Sequence, residues 1–127
     1  MTTHNLFKFE CSSDSYLQCM ELSLFGSNKP WPLQVKAGDY LLLNHYDASA
    51  LFGVWQATCD GAQNIVLRAW NKRFPYQVRV KLVTPKPVQV PPALIEQYKV
   101  DLSLGEANHI EDAEVANALL SACGIGG

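Results

Sequence analysis

Between Gly61 and Ile95 the sequence contains no acidic residue, although Arg68, Lys72, Arg73, Arg79, Lys81 and Lys86 all fall there, six of the ten basic residues. The overall net charge of -2 therefore conceals a bipolar chain, with Glu96, Asp101, Glu106, Glu111, Asp112 and Glu114 gathered toward the C-terminus. No apolar run approaches the length that crosses a bilayer, so a membrane partner is not expected. The start MTTHNLFKFECSSD has no basic segment leading into a long apolar core, which points to a cytoplasmic location, or a nuclear one in a eukaryote. Cys11, Cys19, Cys59 and Cys123 form no C-x-x-C pair and have no His at ligand spacing. They read as reduced core thiols rather than a zinc site or a disulfide framework. There is no phosphate-cradling glycine loop, no H-E-x-x-H, no G-x-S-x-G and no cluster of His with carboxylates. The reading is of a protein that is not an enzyme and that uses no cofactor or metal.

What is present is a globular composition, 48% hydrophobic and 17% charged over 127 residues, enough for one domain with a real core. Residues 5–84 form its centre, 85–92 a proline-rich connection and 93–123 a helical extension. Asn5 to Cys11 alternates as a strand, and Ser12, Ser13 and Asp14 supply side-chain oxygens to cap a helix from about Ser13 to Leu24, with Gly26 expected to end it. Pro30 and Pro32 hold Trp31 in a rigid frame. Residues 38–46 and 51–59 predict a hairpin, and the consecutive Leu41, Leu42 and Leu43 require burial on both faces, as in a closed barrel or a helix-covered sheet. Tyr76 to Val83 alternates strictly, setting Tyr76, Val78, Val80 and Leu82 opposite Gln77, Arg79 and Lys81. Four prolines over residues 84–92 end the sheet. A short helix from Ala93 to Tyr98 and a last one capped by Asn108, with Glu111 three residues on, complete the chain, and Gly124–Gly127 is expected to fray.

Three tryptophans on separate segments can converge on a flat guest such as a base, which stacks on aromatic faces. Trp31 and Trp70, flanked by Pro, Asn and Lys, look least like core; Trp55, in mid-strand, also fits an ordinary core position. His45 beside Asp47 is the nearest thing to an acid–base pair, but adjacent strand residues face opposite ways, and it reads as a hairpin histidine. The acidic C-terminal region either packs beside the basic strand and neutralises it, or leaves it free.

The pieces LFG (24–26), LLLNHY (41–46), LFGVWQAT (51–58), DG (60–61), NI (64–65), AW (69–70) and FPYQVRV (74–80) together resemble the development and cell death (DCD) domain, over residues 6 to 83. That family is similar to the PUA-like group that includes YTH and EVE domains. The resemblance implies an α+β fold, a small PUA-like β-barrel of five or six mainly antiparallel strands with flanking helices. It also implies a non-enzymatic module that binds RNA or DNA, with an aromatic pocket for a modified or flipped base. Carried over, Trp31 and Trp70 would wall the pocket, Cys11, Ser12 and Asn44 would face a base edge, and Lys72, Arg73, Arg79 and Lys81 would contact phosphates. DCD domains also occur in stress and cell-death proteins. The alternative is a protein–protein adaptor that uses the acidic C-terminal helix or a sheet edge.

Overall fold

The computed structural model describes residues 5–125. The last two residues, part of the Gly124–Gly127 end expected to fray, lie outside them. Strands β1 (Leu6–Cys11), β2 (Leu24–Ser27), β3 (Tyr40–His45), β4 (Ala50–Ala57), β5 (Ala62–Gln63), β6 (Tyr76–Leu82), β7 (Val88–Gln89) and β8 (His109–Ile110) alternate with helices α1 (Ser13–Leu22), α2 (Pro92–Gln97) and α3 (Ala113–Ala122). They form one eight-stranded sheet in the order β2-β6-β4-β3-β1-β8, with β5 added to β6 and β7 to β4. Its pairings are antiparallel except β1 with β3, which α1 and the Trp31 segment connect.

The expected barrel is not formed. The sheet path ends on β2 at one side and β8 at the other, so the sheet stays open. Burial on both faces comes instead from a second layer. Leu41 and Leu43 join Phe7, Phe9, Phe25, Trp55 and Val78 in one core, whereas Leu42 joins Leu6, Leu51, Val54 and Leu119 in another under α3. The C-terminal extension is therefore the cover that a triple-leucine strand requires, since alternate side chains project to opposite faces.

Ser12 caps α1 as expected, accepting from the Ser15 amide while the Ser15 hydroxyl accepts from the Ser12 amide. The helix ends differently. Ser23 takes the left-handed conformation (φ 48°, ψ 54°), and Gly26 lies inside β2 paired with Gln77. The last helix is capped by Asp112, not Asn108. Asn108 is buried and donates its amide to the Lys8 carbonyl and to Glu10 Oε2, both at 2.8 Å. The glycine of the Asp60-Gly61 step is dictated by contact, because a Cβ there would overlap the Pro32 carbonyl.

The β6 face expected to be basic is closed at its start. Gln77 is 1% exposed and ties the 66–74 loop by accepting from Val66 N and donating to the Val66 and Phe74 carbonyls. Strand β8, within the acidic C-terminal region, does not lie beside this strand, because β4, β3 and β1 separate β6 from β8. Neither ion pair among the described residues, Lys8–Glu10 or His109–Glu111, joins the two regions. No helix among the described residues is long and apolar enough to cross a membrane.

Candidate functional site

The parallel strands β1 and β3 run out toward the same end of the sheet, where α1 begins. In open sheets with parallel strands, the carboxyl ends of those strands are where ligands are held. A pocket of about 290 Å³ opens here. Its aromatic walls are Trp31, Phe74 and Tyr46; Glu10, Cys11 and Ser15 contribute from β1 and α1. Gly26 and Ser27 at the end of β2, and Leu104 and Gly105 from the segment before β8, close the remaining sides.

Trp31 is half-buried in the short helical turn Trp31–Gln34, backed by Phe9 at 4.4 Å and by Phe7 at 6.0 Å between ring centroids. The proline on either side fixes its entry and exit. Phe74 packs edge-on against Trp70 (5.5 Å, 73°), and the Arg73 guanidinium sits 5.4 Å from the Phe74 ring centre. This is cation–π distance and brings a cation to the aromatic rim.

Trp70 does not reach the pocket. It is 2% exposed, its indole N–H donates to the Ser15 carbonyl at 3.0 Å, and its amide donates to Gln18 Oε1 at 2.7 Å. Trp70, Asn71 and Lys72 are all left-handed, with φ of 50°, 53° and 67°. That costly run for non-glycine residues turns the indole inward and leaves Phe74 facing out. Gly26 makes room for it, since a Cβ there would lie 2.7 Å from the Trp70 ring.

The other sequence candidates divide. Cys11 lines the pocket. Ser12 is occupied as a helix cap. Asn44 is buried, its amide donating to the Leu102 carbonyl at 3.1 Å, and Trp55 is a core residue edge-on to Phe25. Arg79 is half-buried and donates through Nη1 to the Leu22 carbonyl at 2.9 Å, which satisfies the C-terminus of α1. Lys72 and Arg73 are exposed; Arg73 donates through Nε to the Trp70 carbonyl at 3.1 Å and lies over the Phe74 wall, whereas Lys81 is exposed on β6 opposite Gln56. Lys81 lies four strand positions beyond Gln77, the partner of pocket-lining Gly26, a reach of roughly 13 Å.

Sequence reasoning passes over Phe74, Tyr46, Glu10, Lys29 and the 104–105 segment. Phe74 opens the FPYQVRV motif and Lys29 directly precedes the Pro-Trp-Pro frame, but nothing local marks Leu104 or Gly105. Those two arrive through a polar clamp. Lys8, 0% exposed, donates to Glu10 Oε2 and to the carbonyls of Ser103 and Glu106, each at 3.3 Å. Glu10 Oε1 accepts from the Gly105 amide at 2.7 Å. Glu10 thus spends its charge inside the protein rather than on the pocket.

The Cys11 thiol is pushed up to about 12, first by burial and then by the carboxylates of Asp47 and Glu10, and burial raises Cys19 as well. Cys11 therefore offers the pocket a neutral S–H. At pH 8 only about one Cys11 in 10⁴ is thiolate, the form that reacts. Alkylation at that pH followed by mass spectrometry is expected to mark the half-exposed Cys59 and to spare Cys11 and Cys19 until the chain is unfolded. Equal rates at Cys59 and Cys11 would contradict this. Stability is also expected to fall above pH 9, where the unfolded thiols release protons that the folded ones retain.

The open mixed sheet layered by helices is a YTH-like α+β fold. The Mmi1 YTH domain, solved in complex with RNA, is similar over 95% of this chain and 78% of its own, with a TM-score of 0.70 and 13% identity. The YTH domain of Zygosaccharomyces rouxii MRB1, solved with N6-methyladenosine RNA, is similar over 98% and 89%, with a TM-score of 0.60 and 12% identity. The Pho92 YTH domain, solved with m6A, is similar over 97% and 85%, with a TM-score of 0.62 and 12% identity. At such identities the likeness is one of fold. The chain belongs to the development and cell death domain family, whose profile matches residues 6–105, well beyond the motif-bearing region. No curated protein sequence matches it significantly.

Proposed function

We propose that the domain binds single-stranded RNA without altering it, by taking one base out of the strand into the pocket walled by Trp31, Phe74 and Tyr46. The observation that carries this is the pocket itself, an aromatic hollow at the carboxyl ends of β1 and β3, with the Arg73 guanidinium 5.4 Å from the ring centre of its Phe74 wall. Its volume of about 290 Å³ lies at the small end of ligand sites and suits a base more than a whole nucleotide. Bases stack on aromatic faces whatever their sequence, and rim cations hold the phosphates on either side. The similar YTH domains solved with RNA support the same use of the fold. Of the pocket's acid and thiol, Glu10 is tied by Lys8, Gly105 and Asn108, and Cys11 keeps its proton.

A methyl group on the exocyclic amine of the base adds apolar surface that these rings cover. Burying it contributes about 0.8 kcal/mol, or roughly four-fold in affinity, so a modified adenine is the preferred guest in this reading. Anisotropy titration of fluorescent RNA against salt tests the proposal. Affinity is expected to fall steeply as salt rises, and Lys72→Ala with Arg73→Ala to flatten the log–log slope by roughly 0.7 for each phosphate no longer neutralised. Arg79→Ala, whose guanidinium is spent on α1, is expected to leave the slope unchanged. Quenching of Trp fluorescence by the oligonucleotide is expected to vanish in Trp31→Phe. Absent or salt-insensitive binding overturns the reading.

A further inference from the structure

Trp31 borders a second hollow. On its other side a wider depression of about 620 Å³ is lined by Phe7, Pro30, Leu33, Gln34, Asn108 and His109. Lys29, Trp31 and Gly105 line both, so they form a ridge between two neighbouring hollows. The ridge carries a cation. Lys29 is exposed, its amine donates to the Gly105 carbonyl at 3.0 Å, and no ion pair among the described residues engages it. The ridge also carries an open donor, because the indole N–H of Trp31 is buried with no hydrogen-bond partner among the described residues. Beyond it the His109 ring stacks on Phe7 at 4.6 Å, and Leu33, 44% exposed, adds apolar surface.

Base, cation, base is the spacing of chemistry along a single nucleic-acid strand, in which successive bases are joined through one phosphate. We infer that the second hollow receives the base next to the one held in the Trp31–Phe74–Tyr46 pocket, with Lys29 against the phosphate between them. The inference rests on the RNA-binding reading above. It makes the site a reader of two consecutive nucleotides, with Trp31 as the partition. The second hollow is wider and has a polar edge of Gln34 and Asn108, so it takes either a purine or a pyrimidine, held by stacking more than by shape.

A short RNA with a single purine flanked by uridines tests this, compared with the same RNA made abasic either 5′ or 3′ of the purine. The abasic strands keep every phosphate, so the ionic contribution is constant and the difference reports the flanking base alone. In wild type, one of the two abasic RNAs is expected to bind roughly five- to a hundred-fold more weakly, the range that one stacked base contributes. Leu33→Asp, at an exposed position, and His109→Ala are each expected to shrink that ratio toward one. The intact and abasic RNAs then bind these variants nearly alike. If intact RNA binds wild type but neither abasic site matters, or if the ratio survives in both variants, the second hollow takes no base and the first-pocket reading stands. If intact RNA does not bind wild type at all, both fail.

Discussion

A Trp70→Ala variant is expected to lose about 3–5 kcal/mol of folding stability, a large share of the roughly 5–15 kcal/mol that a domain holds. Trp70 is among the largest fully buried side chains, and it links α1, β2 and the turn before β6. Removing it leaves a cavity behind Gly26, deletes the indole hydrogen bond to the Ser15 carbonyl and withdraws the support of three successive left-handed residues. Trp70→Phe separates these effects, since it keeps much of the packing and loses the indole hydrogen bond, for about 1–3 kcal/mol. Gly26→Ala presses a methyl against the same ring and is expected to cost about 1–3 kcal/mol alone but much less in the Trp70→Ala background. Urea unfolding of wild type and the four variants supplies the comparison. A Trp70→Ala protein of unchanged stability that no longer binds RNA would return Trp70 to the ligand.

Lys8→Ala is expected to cost about 3–5 kcal/mol, because breaking a buried ion pair from one side leaves the other charge without compensation. The ammonium is fully enclosed, and three acceptors from Glu10, Ser103 and Glu106 lose their donor together. Lys8→Met with Glu10→Gln removes both charges while keeping most of the volume, and is expected to recover part of the loss instead of adding to it. The effect extends to the site. The Lys8–Glu10 pair holds residues 103–106 against β1, and Leu104 and Gly105 are a pocket wall. Hydrogen exchange in Lys8→Met is expected to rise over residues 102–108 while β3 and β4 remain protected. Uniform exchange across the chain, or none, would show that Lys8 does not clamp this segment.

Most local elements could be read along the chain because local chemistry sets them. Ser12 caps α1 through atoms three residues away, the 40–57 hairpin follows from two strand-forming runs joined by a short polar loop, and Pro92 opens α2 as its fixed backbone allows. Leu41–Leu43 announced burial on both faces, since each side chain projects opposite to the one before it. The same run could not say whether a closing strand or a separate layer supplied the cover. The C-terminal extension supplied it.

The motif order placed the chain within its family, and the uneven charge marked the segment that brings Arg73 over the Phe74 wall. Tertiary structure alone decided which of these residues meets the pocket. In AWNKRFP, Trp70 looked the more accessible aromatic by its polar neighbours, yet the left-handed run from 70 to 72 turns it inward and presents Phe74. The partners that hold it, Ser15, Gln18 and Gly26, lie more than forty residues away in sequence. Arg79 is likewise claimed by the Leu22 carbonyl rather than left on a free basic face. A backbone dihedral and a distant carbonyl leave no mark in hydrophobic period or charge, so the sequence determined what each segment forms, and only the assembled fold determined which side chains remain free to bind.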